Sequence, residues 1–208
     1  MEKNNKLKKI LTTASVFAMI AGASNSAMAG ANRIVEGTQA NLSDGTGLDG
    51  AGAIMDNDNL DVNFEGAEIT VGGNKTIGSL KVSKDGSKFL IGDGHTLTIT
   101  AFNNGGGKKT VLGNDNANGA LVISSAANAD AVVSAIKVKT LDFTTVANAN
   151  FNGDIDVATF NIKDANDTTF GGAVKATTEV VIEQANKMTF AKTLQAGTLK
   201  FGAANGTA

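Results

Sequence analysis

The 208-residue chain contains no cysteine, proline, tryptophan or tyrosine, and its single histidine is His95. Without cysteine there is no disulfide, no thiolate-held zinc and no thiol nucleophile. A lone histidine argues against a histidine metal site and against a Ser-His-Asp triad. Without proline, no residue has to be kept out of an inner strand for want of an N–H donor. Only ten phenylalanines represent the aromatics, so any platform for stacking a sugar ring would have to be built from Phe alone. Charge is also sparse, at 18% of residues and a formal net of −2. The chain is filled instead by 25 Gly with 31 Ala, 22 Asn and 22 Thr, together 100 of the 208 residues. Gly, Asn and Thr are poor helix formers, which sets aside a helical bundle. A 42% apolar content at this low charge is equally unlike a disordered tail.

The first thirty residues have the three parts of a secretory signal. Lys3, Lys6, Lys8 and Lys9 give a basic start, Ile10 to Ala23 an apolar stretch, and Ala27-Met28-Ala29 a small-x-small cleavage pattern. The stretch is short for a membrane span, and no later apolar run approaches 18 residues, so no transmembrane helix is expected in the mature chain. Cleavage after Ala29 leaves 179 residues beginning at Gly30. Removal of four Lys and one Glu leaves 14 basic residues against 19 acidic ones, a net −5. An acidic chain whose one arginine is Arg33 lacks the basic footprint of a nucleic-acid binder. The expected location is beyond the inner membrane: periplasm, cell surface or extracellular.

A repeat of about twenty residues organises the rest of the chain. An apolar-x-apolar pair recurs as Leu60/Val62, Leu80/Val82, Leu97/Ile99, Leu121/Ile123, Leu141/Phe143, Phe160/Ile162, Val180/Ile182 and Leu199/Phe201, in steps of 20, 17, 24, 20, 19, 20 and 19 residues. From Leu121 onward three further columns keep phase. One is an Ala-Asn pair at Ala127-Asn128, Ala147-Asn148, Ala165-Asn166, Ala185-Asn186 and Ala204-Asn205. The second is Val132, Phe151, Phe170 and Phe190, and the third Ile136, Ile155, Val174 and Leu194. Within a unit the apolar residues alternate at period two between Gly, Asn and Asp punctuation, the mark of strands with one buried face. So short a unit cannot bury that face alone and must stack on its copies. The expected fold is therefore all-β, a parallel β-helix (solenoid) with rungs of about 20 residues, in which like residues stack at roughly 4.8 Å. The Asn column suits left-handed turns and side-chain hydrogen bonding between stacked Asn residues. Residues 30–58 read as a loose lead-in or N-terminal cap, 59–208 as the repeats, and Asn103 to Lys109 as a loop inserted in one rung. Ala126 to Val138 is compatible with a short helix, but its register with later rungs favours strand.

Four places invite a functional reading, and each has a plainer one. Gly45-Thr46-Gly47-Leu48-Asp49-Gly50 matches the G-x-G-x-x-G string, but it lacks the preceding strand and following helix that would meet a pyrophosphate, and reads as a flexible Gly-rich segment. Asp56-Asn57-Asp58-Asn59, Asp61 and Glu68 gather oxygen donors, but a calcium loop begun at Asn57 would have Val62 where it needs Gly. His95 reads as an exposed loop residue. Asp154 and Asp156 flank Ile155 and point outward together, an arrangement that can serve acid–base chemistry but is ordinary on the outer face of a rung. No catalytic, cofactor-binding or metal-ligating residue is assigned, and no enzymatic activity is expected.

The Lys-rich signal ending in Ala-Met-Ala, with rungs such as Thr140-Leu141-Asp142-Phe143 and Thr159-Phe160-Asn161-Ile162, resembles the beginning of a rickettsial surface cell antigen. These are autotransporters similar to the rickettsial outer-membrane proteins A and B. The resemblance implies a β-helical passenger outside a Gram-negative cell, with a host-cell surface receptor or neighbouring surface-layer chains as partners. It also implies a C-terminal translocator barrel with aromatic girdles. No such region precedes Ala208, so the expectation is the N-terminal, apparently truncated part of such a protein. The alternatives are a surface-layer structural protein, a degenerate remnant, or a solenoid enzyme acting on polysaccharide.

Overall fold

A computed structural model of the chain describes residues 30–202 apart from 51, 104–106, 116–117 and 148, and for 146–147 the backbone only. The secretory-signal reading, Asn148, Ala204-Asn205 and the middle of the insertion after Asn103 lie outside the described residues.

Alternating apolar and polar residues produce short strands, and the Gly, Asn and Asp between them produce turns. In order these are β1 (Asn32–Val35), β2 (Gln39–Asn41), β3 (Asp58–Val62), β4 (Glu68–Val71), β5 (Lys75–Val82), β6 (Ser87–Ile91), β7 (Thr96–Asn103), β8 (Thr110–Gly113) and β9 (Ala120–Ile123). A single turn of helix, α1 (Ala129–Val132), leads into β10 (Val133–Phe143). Then come β11 (Val146–Ala147), β12 (Asn150–Phe151), β13 (Asp154–Ile162), β14 (Ala165–Asn166), β15 (Thr168–Phe170), β16 (Val174–Ile182), β17 (Met188–Phe190) and β18 (Leu194–Phe201). Every pairing between these strands is parallel and joins one rung to the next. The chain is a β-solenoid of about seven turns with rungs of about 20 residues.

The topology changes at β10. Below it two columns of strands, β2-β4-β6-β8 and β1-β3-β5-β7-β9, run separately. β10 stacks on both at once, Ile136 on Leu112 of β8 and Leu141 on Leu121 of β9. From there β13, β16 and β18 each carry both sides in one long strand. A third side is closed by the small sheets β11-β14 and β12-β15-β17. One column of inward residues runs Ile69, Phe89, Leu112, Ile136, Ile155, Val174 and Leu194, and another Ile99, Ile123, Phe143, Ile162, Ile182 and Phe201. In the C-terminal half the interior is aromatic. Phe143 meets Phe160 edge-on at 5.2 Å between ring centroids, and Phe170 stacks on Phe190 at 5.1 Å, an aromatic geometry that adds to simple area burial.

Three expectations are corrected in detail. Leu60/Val62 and Leu80/Val82 stack on each other, but Leu80 continues to Phe102, not to Leu97; beneath Leu97/Ile99 lie Lys75/Ile77. The 17-residue step is therefore a change of side within a rung, and the rung itself is 22 residues long from Lys75 to Leu97. A period-two pattern repeats on every side, so pattern alone could not distinguish two sides of one rung from two rungs on one side. Second, Ala129–Val132 is helical, not extended. Asn128 enters the left-handed region at φ 63° and starts the turn, and Ala129 and Val132 then pack inward as a plug where later rungs have strand. Third, Ala165-Asn166 and Ala185-Asn186 do stack, but Ala147 rather than Asn148 lies beside Asn166. The polar ladder with side-chain hydrogen bonds is elsewhere: Asn59 Nδ2 donates to Asn32 Oδ1 (3.1 Å), Ser79 Oγ to Asn59 Oδ1 (2.7 Å) and Asn103 Nδ2 to Ser79 Oγ (3.0 Å).

Close stacking explains one glycine in particular. Gly113 ends β8 at φ 98°, and a Cβ there would lie 1.7 Å from the Lys137 carbonyl oxygen of the next rung. Only glycine meets both demands.

Candidate functional site

The outer faces carry the chain's charge, and the rungs pair it off. Seven of the eight ion pairs among the described residues join consecutive rungs: Asp61–Lys81 (2.7 Å), Glu68–Lys88 (2.6 Å), Asp85–Lys108 (2.8 Å), Asp115–Lys137, Asp156–Lys175 (3.3 Å), Asp167–Lys187 (3.4 Å) and Glu179–Lys200 (2.5 Å). In each the acid comes first and the lysine lies 19 to 23 residues later, which is one rung. This is a signal that the sequence contains and that a search for apolar columns passes over.

A shallow groove that holds two of these pairs has a volume of about 370 Å³ and lies beside the corner at Val138 and Val157, with Asp115, Lys137, Lys139, Asp156 and Lys175 along it. Its acids are already engaged. The Lys137 ammonium, hydrogen-bonded to Asp115 and attracting it, holds that carboxyl below its ordinary value; the same contact holds Lys137 above its own. The Lys108 hydrogen bond and the Lys109 backbone N–H do likewise for Asp85. The Thr46 backbone N–H lowers Asp44. All these shifts move groups away from neutrality, whereas a general acid at neutral pH needs a carboxyl shifted upward. Both acids of the groove are thus spent in ion pairs with lysines of the next rung.

The sequence-based candidates fall into place individually. The 45–50 string lies against β1. Val35 and Leu48 form an antiparallel bridge, Leu48 is buried, and Arg33 Nε donates to the Asp49 carbonyl (2.9 Å) while its terminal nitrogens donate to those of Gly52 (3.1 Å) and Ala53 (3.4 Å). Among the described residues no helix begins on it, so the strand-turn-helix setting of a dinucleotide site is not formed around it. Among the oxygen donors near residue 58, Asp58 is buried and accepts the N–H groups of Ala31 (3.1 Å) and Met55 (3.0 Å). Asp61 holds Lys81 and Ser83 Oγ, and Glu68 holds Lys88, so these three acids are turned to the protein itself, while Asp56 and Asn57 are exposed. Among the described residues no group of three metal-ligating side chains converges.

His95 is half-buried at the turn before β7, its ring against Gly92, where a Cβ would come within 2.9 Å of His95 Cδ2. Asp154 and Asp156 are both exposed on one face as expected. Asp154 accepts the Ala173 N–H (2.8 Å) and Asp156 pairs with Lys175, so each carboxylate ties its rung to the next. His95 and the two acids belong to different rungs, and the stack does not bring them together.

In comparison with known proteins, the chain matches no protein-family model, no curated protein and no solved structure. Among the described residues no helix is long and apolar enough to cross a membrane.

Proposed function

We propose that the chain is an exported, non-enzymatic cell-surface protein, a passenger segment of the autotransporter adhesin or surface-antigen kind. The observation that carries this reading is the pairing of outer-face charge from rung to rung, on a solenoid whose interior is filled by side chains. Such a rod, about seven turns at roughly 4.8 Å, holds its surface groups at fixed spacing, which suits recognition along a face better than catalysis at a point. The basic, apolar, small-residue order of Lys3 to Ala29 supports export. A host-cell surface receptor or a neighbouring surface-layer chain is the partner class this reading entails.

The test is mass spectrometry of the protein in fractionated cells, with and without external protease. A protease-accessible chain beginning at Gly30 and continuing past Ala208 is the expected result. A product confined to the cytoplasm with Met1 retained would end the export reading. A product that stops at Ala208 inside the periplasm would favour a remnant over a displayed passenger. The polysaccharide-enzyme alternative rests on Asp154 and Asp156, whose present partners weigh against it; turnover abolished by Asp154→Asn or Asp156→Asn would reinstate it.

A further inference from the structure

The rung-to-rung charge ladder has a gap. Seven lysines each meet an acid that lies 19 to 23 residues earlier. Lys139 is exposed in the groove that holds the Asp115–Lys137 and Asp156–Lys175 pairs, yet among the described residues no acid lies within ion-pair distance of it. The residue 21 positions before it, where the ladder elsewhere has a carboxylate, is Asn118. The two positions are neighbours across rungs: the Lys139 N–H donates to the Gly119 carbonyl (3.0 Å), and Asn118 lines the same groove.

Asn118 is followed by Gly119, and the fold explains that glycine. A Cβ at 119 would lie 2.4 Å from Ile91 Cγ2 and 2.9 Å from the Ile91 carbonyl oxygen, so a larger residue does not fit. With no side chain to shield it, the Gly119 nitrogen is placed to close a five-membered ring onto the Asn118 side-chain amide. Asn118 is exposed, and among the described residues neither its amide nor the Gly119 N–H has a hydrogen-bond partner. The first N–H to join the rung below is that of Ala120, to the His95 carbonyl (2.8 Å). The Lys139 ammonium, with no acid to neutralise it, favours the negative charge that develops on the amide oxygen as the ring closes.

We propose that Asn118 deamidates spontaneously, and that the carboxylate formed there becomes the missing partner of Lys139. The Gly119 nitrogen gives its proton to solvent and bonds to Asn118 Cγ; the Cγ–Nδ2 bond breaks and ammonia leaves. Water then adds to one of the two ring carbonyls and opens the succinimide, leaving aspartate or isoaspartate with one new negative charge.

A second Asn-Gly pair is an internal control. Asn152, before Gly153, is also exposed, but its backbone N–H donates to Asp130 Oδ1 (2.9 Å) and its Nδ2 to Asp130 Oδ2 (3.0 Å). These bonds hold the amide, and the Asp130 carboxylate opposes both the developing oxyanion and the charge of the product. Asn104-Gly105 and Asn205-Gly206 lie outside the described residues.

The test is peptide mapping by mass spectrometry of the purified protein during incubation at neutral pH. In the folded protein Asn118 should convert about tenfold or more faster than Asn152, and the two rates should converge in urea. Lys139→Ala slows conversion of Asn118 several-fold and leaves Asn152 unchanged, while Asp130→Ala speeds conversion of Asn152. Asn118→Asp raises the thermal midpoint, a gain that shrinks in high salt and is absent when Lys139→Ala is added. Conversion of Asn118 no faster than Asn152 in the folded protein, or undiminished by Lys139→Ala, overturns the deamidation. A gain from Asn118→Asp that survives Lys139→Ala, or no gain at all, overturns the pairing.

Discussion

At its N-terminal end the solenoid closes on itself: residues 42–50 and 52–57 fold over the first rung, bury Leu42, Leu48 and Ile54, and use Arg33 to gather three carbonyls. At its C-terminal end the last described rung has the same inward residues as those beneath it, but no described strand stacks on them, and Leu199 is 42% and Phe201 70% exposed. The two ends share one repeat and differ only in what covers it. A rung's apolar residues are therefore not intrinsically buried; the neighbouring rung buries them.

The largest effect expected from this comparison lies between two phenylalanines of the same repeat. Phe170→Asp places a carboxylate among Phe143, Phe160 and Phe190 and should prevent folding, whereas Phe201→Asp should leave β-rich circular dichroism intact. The gentler pair separates by degree. Phe170→Ala should cost about 3–5 kcal/mol in urea unfolding, and Phe201→Ala no more than about 1 kcal/mol. Equal costs would show that the C-terminal rung is covered in solution.

Next in size is the cap. Arg33→Ala leaves the carbonyls of Asp49, Gly52 and Ala53 without their donor and should destabilise the chain by about 2–3 kcal/mol. Hydrogen exchange should rise first at Glu36 and Asp49, whose N–H groups join the loop to β1. If exchange rose uniformly, the cap and the stack would be one cooperative unit.

A smaller effect belongs to the outer charge ladder that runs between the two ends. Lys81→Ala removes a half-buried pair with Asp61 and should cost about 1 kcal/mol or less, a cost that shrinks in high salt.

The smallest effect is the pH dependence. Asp85 and Asp115 have folded values below 3.8, so their contribution is present above that value and is lost as pH falls through the lowered one. Lys108 and Lys137 have folded values above 10.5; theirs is present below 10.5 and is lost as pH rises through the raised one. These four groups thus contribute no slope between about pH 5 and 9, and a thermal-unfolding midpoint that is flat across that window is the expected result.

The fold class was legible because a solenoid writes its tertiary contacts into a linear period. Ile136, Ile155, Val174 and Leu194 are 19 or 20 residues apart in sequence and adjacent in space for the same reason. Phe151, Phe170 and Phe190 likewise stack as their spacing suggests. The partners of individual outer-face acids were less legible. Asp154 and Asp156 look the same in sequence whether they face a substrate or an Ala173 amide and Lys175; only the register of β13 on β16 tells which.

The sequence by itself determined the period, the alternation of inward and outward residues, and the stacking of each rung on the next, since these arise from side-chain pattern and the need to bury it. Only the tertiary structure decided which side of the rung each apolar pair lines, as Leu80 over Leu60 rather than under Leu97. It alone decided that Ala129–Val132 coils into a plug, and that the Gly-rich segment near residue 47 folds back on β1. Those choices depend on where the chain turns, and a turn is fixed by contacts between rungs that a one-dimensional pattern does not contain.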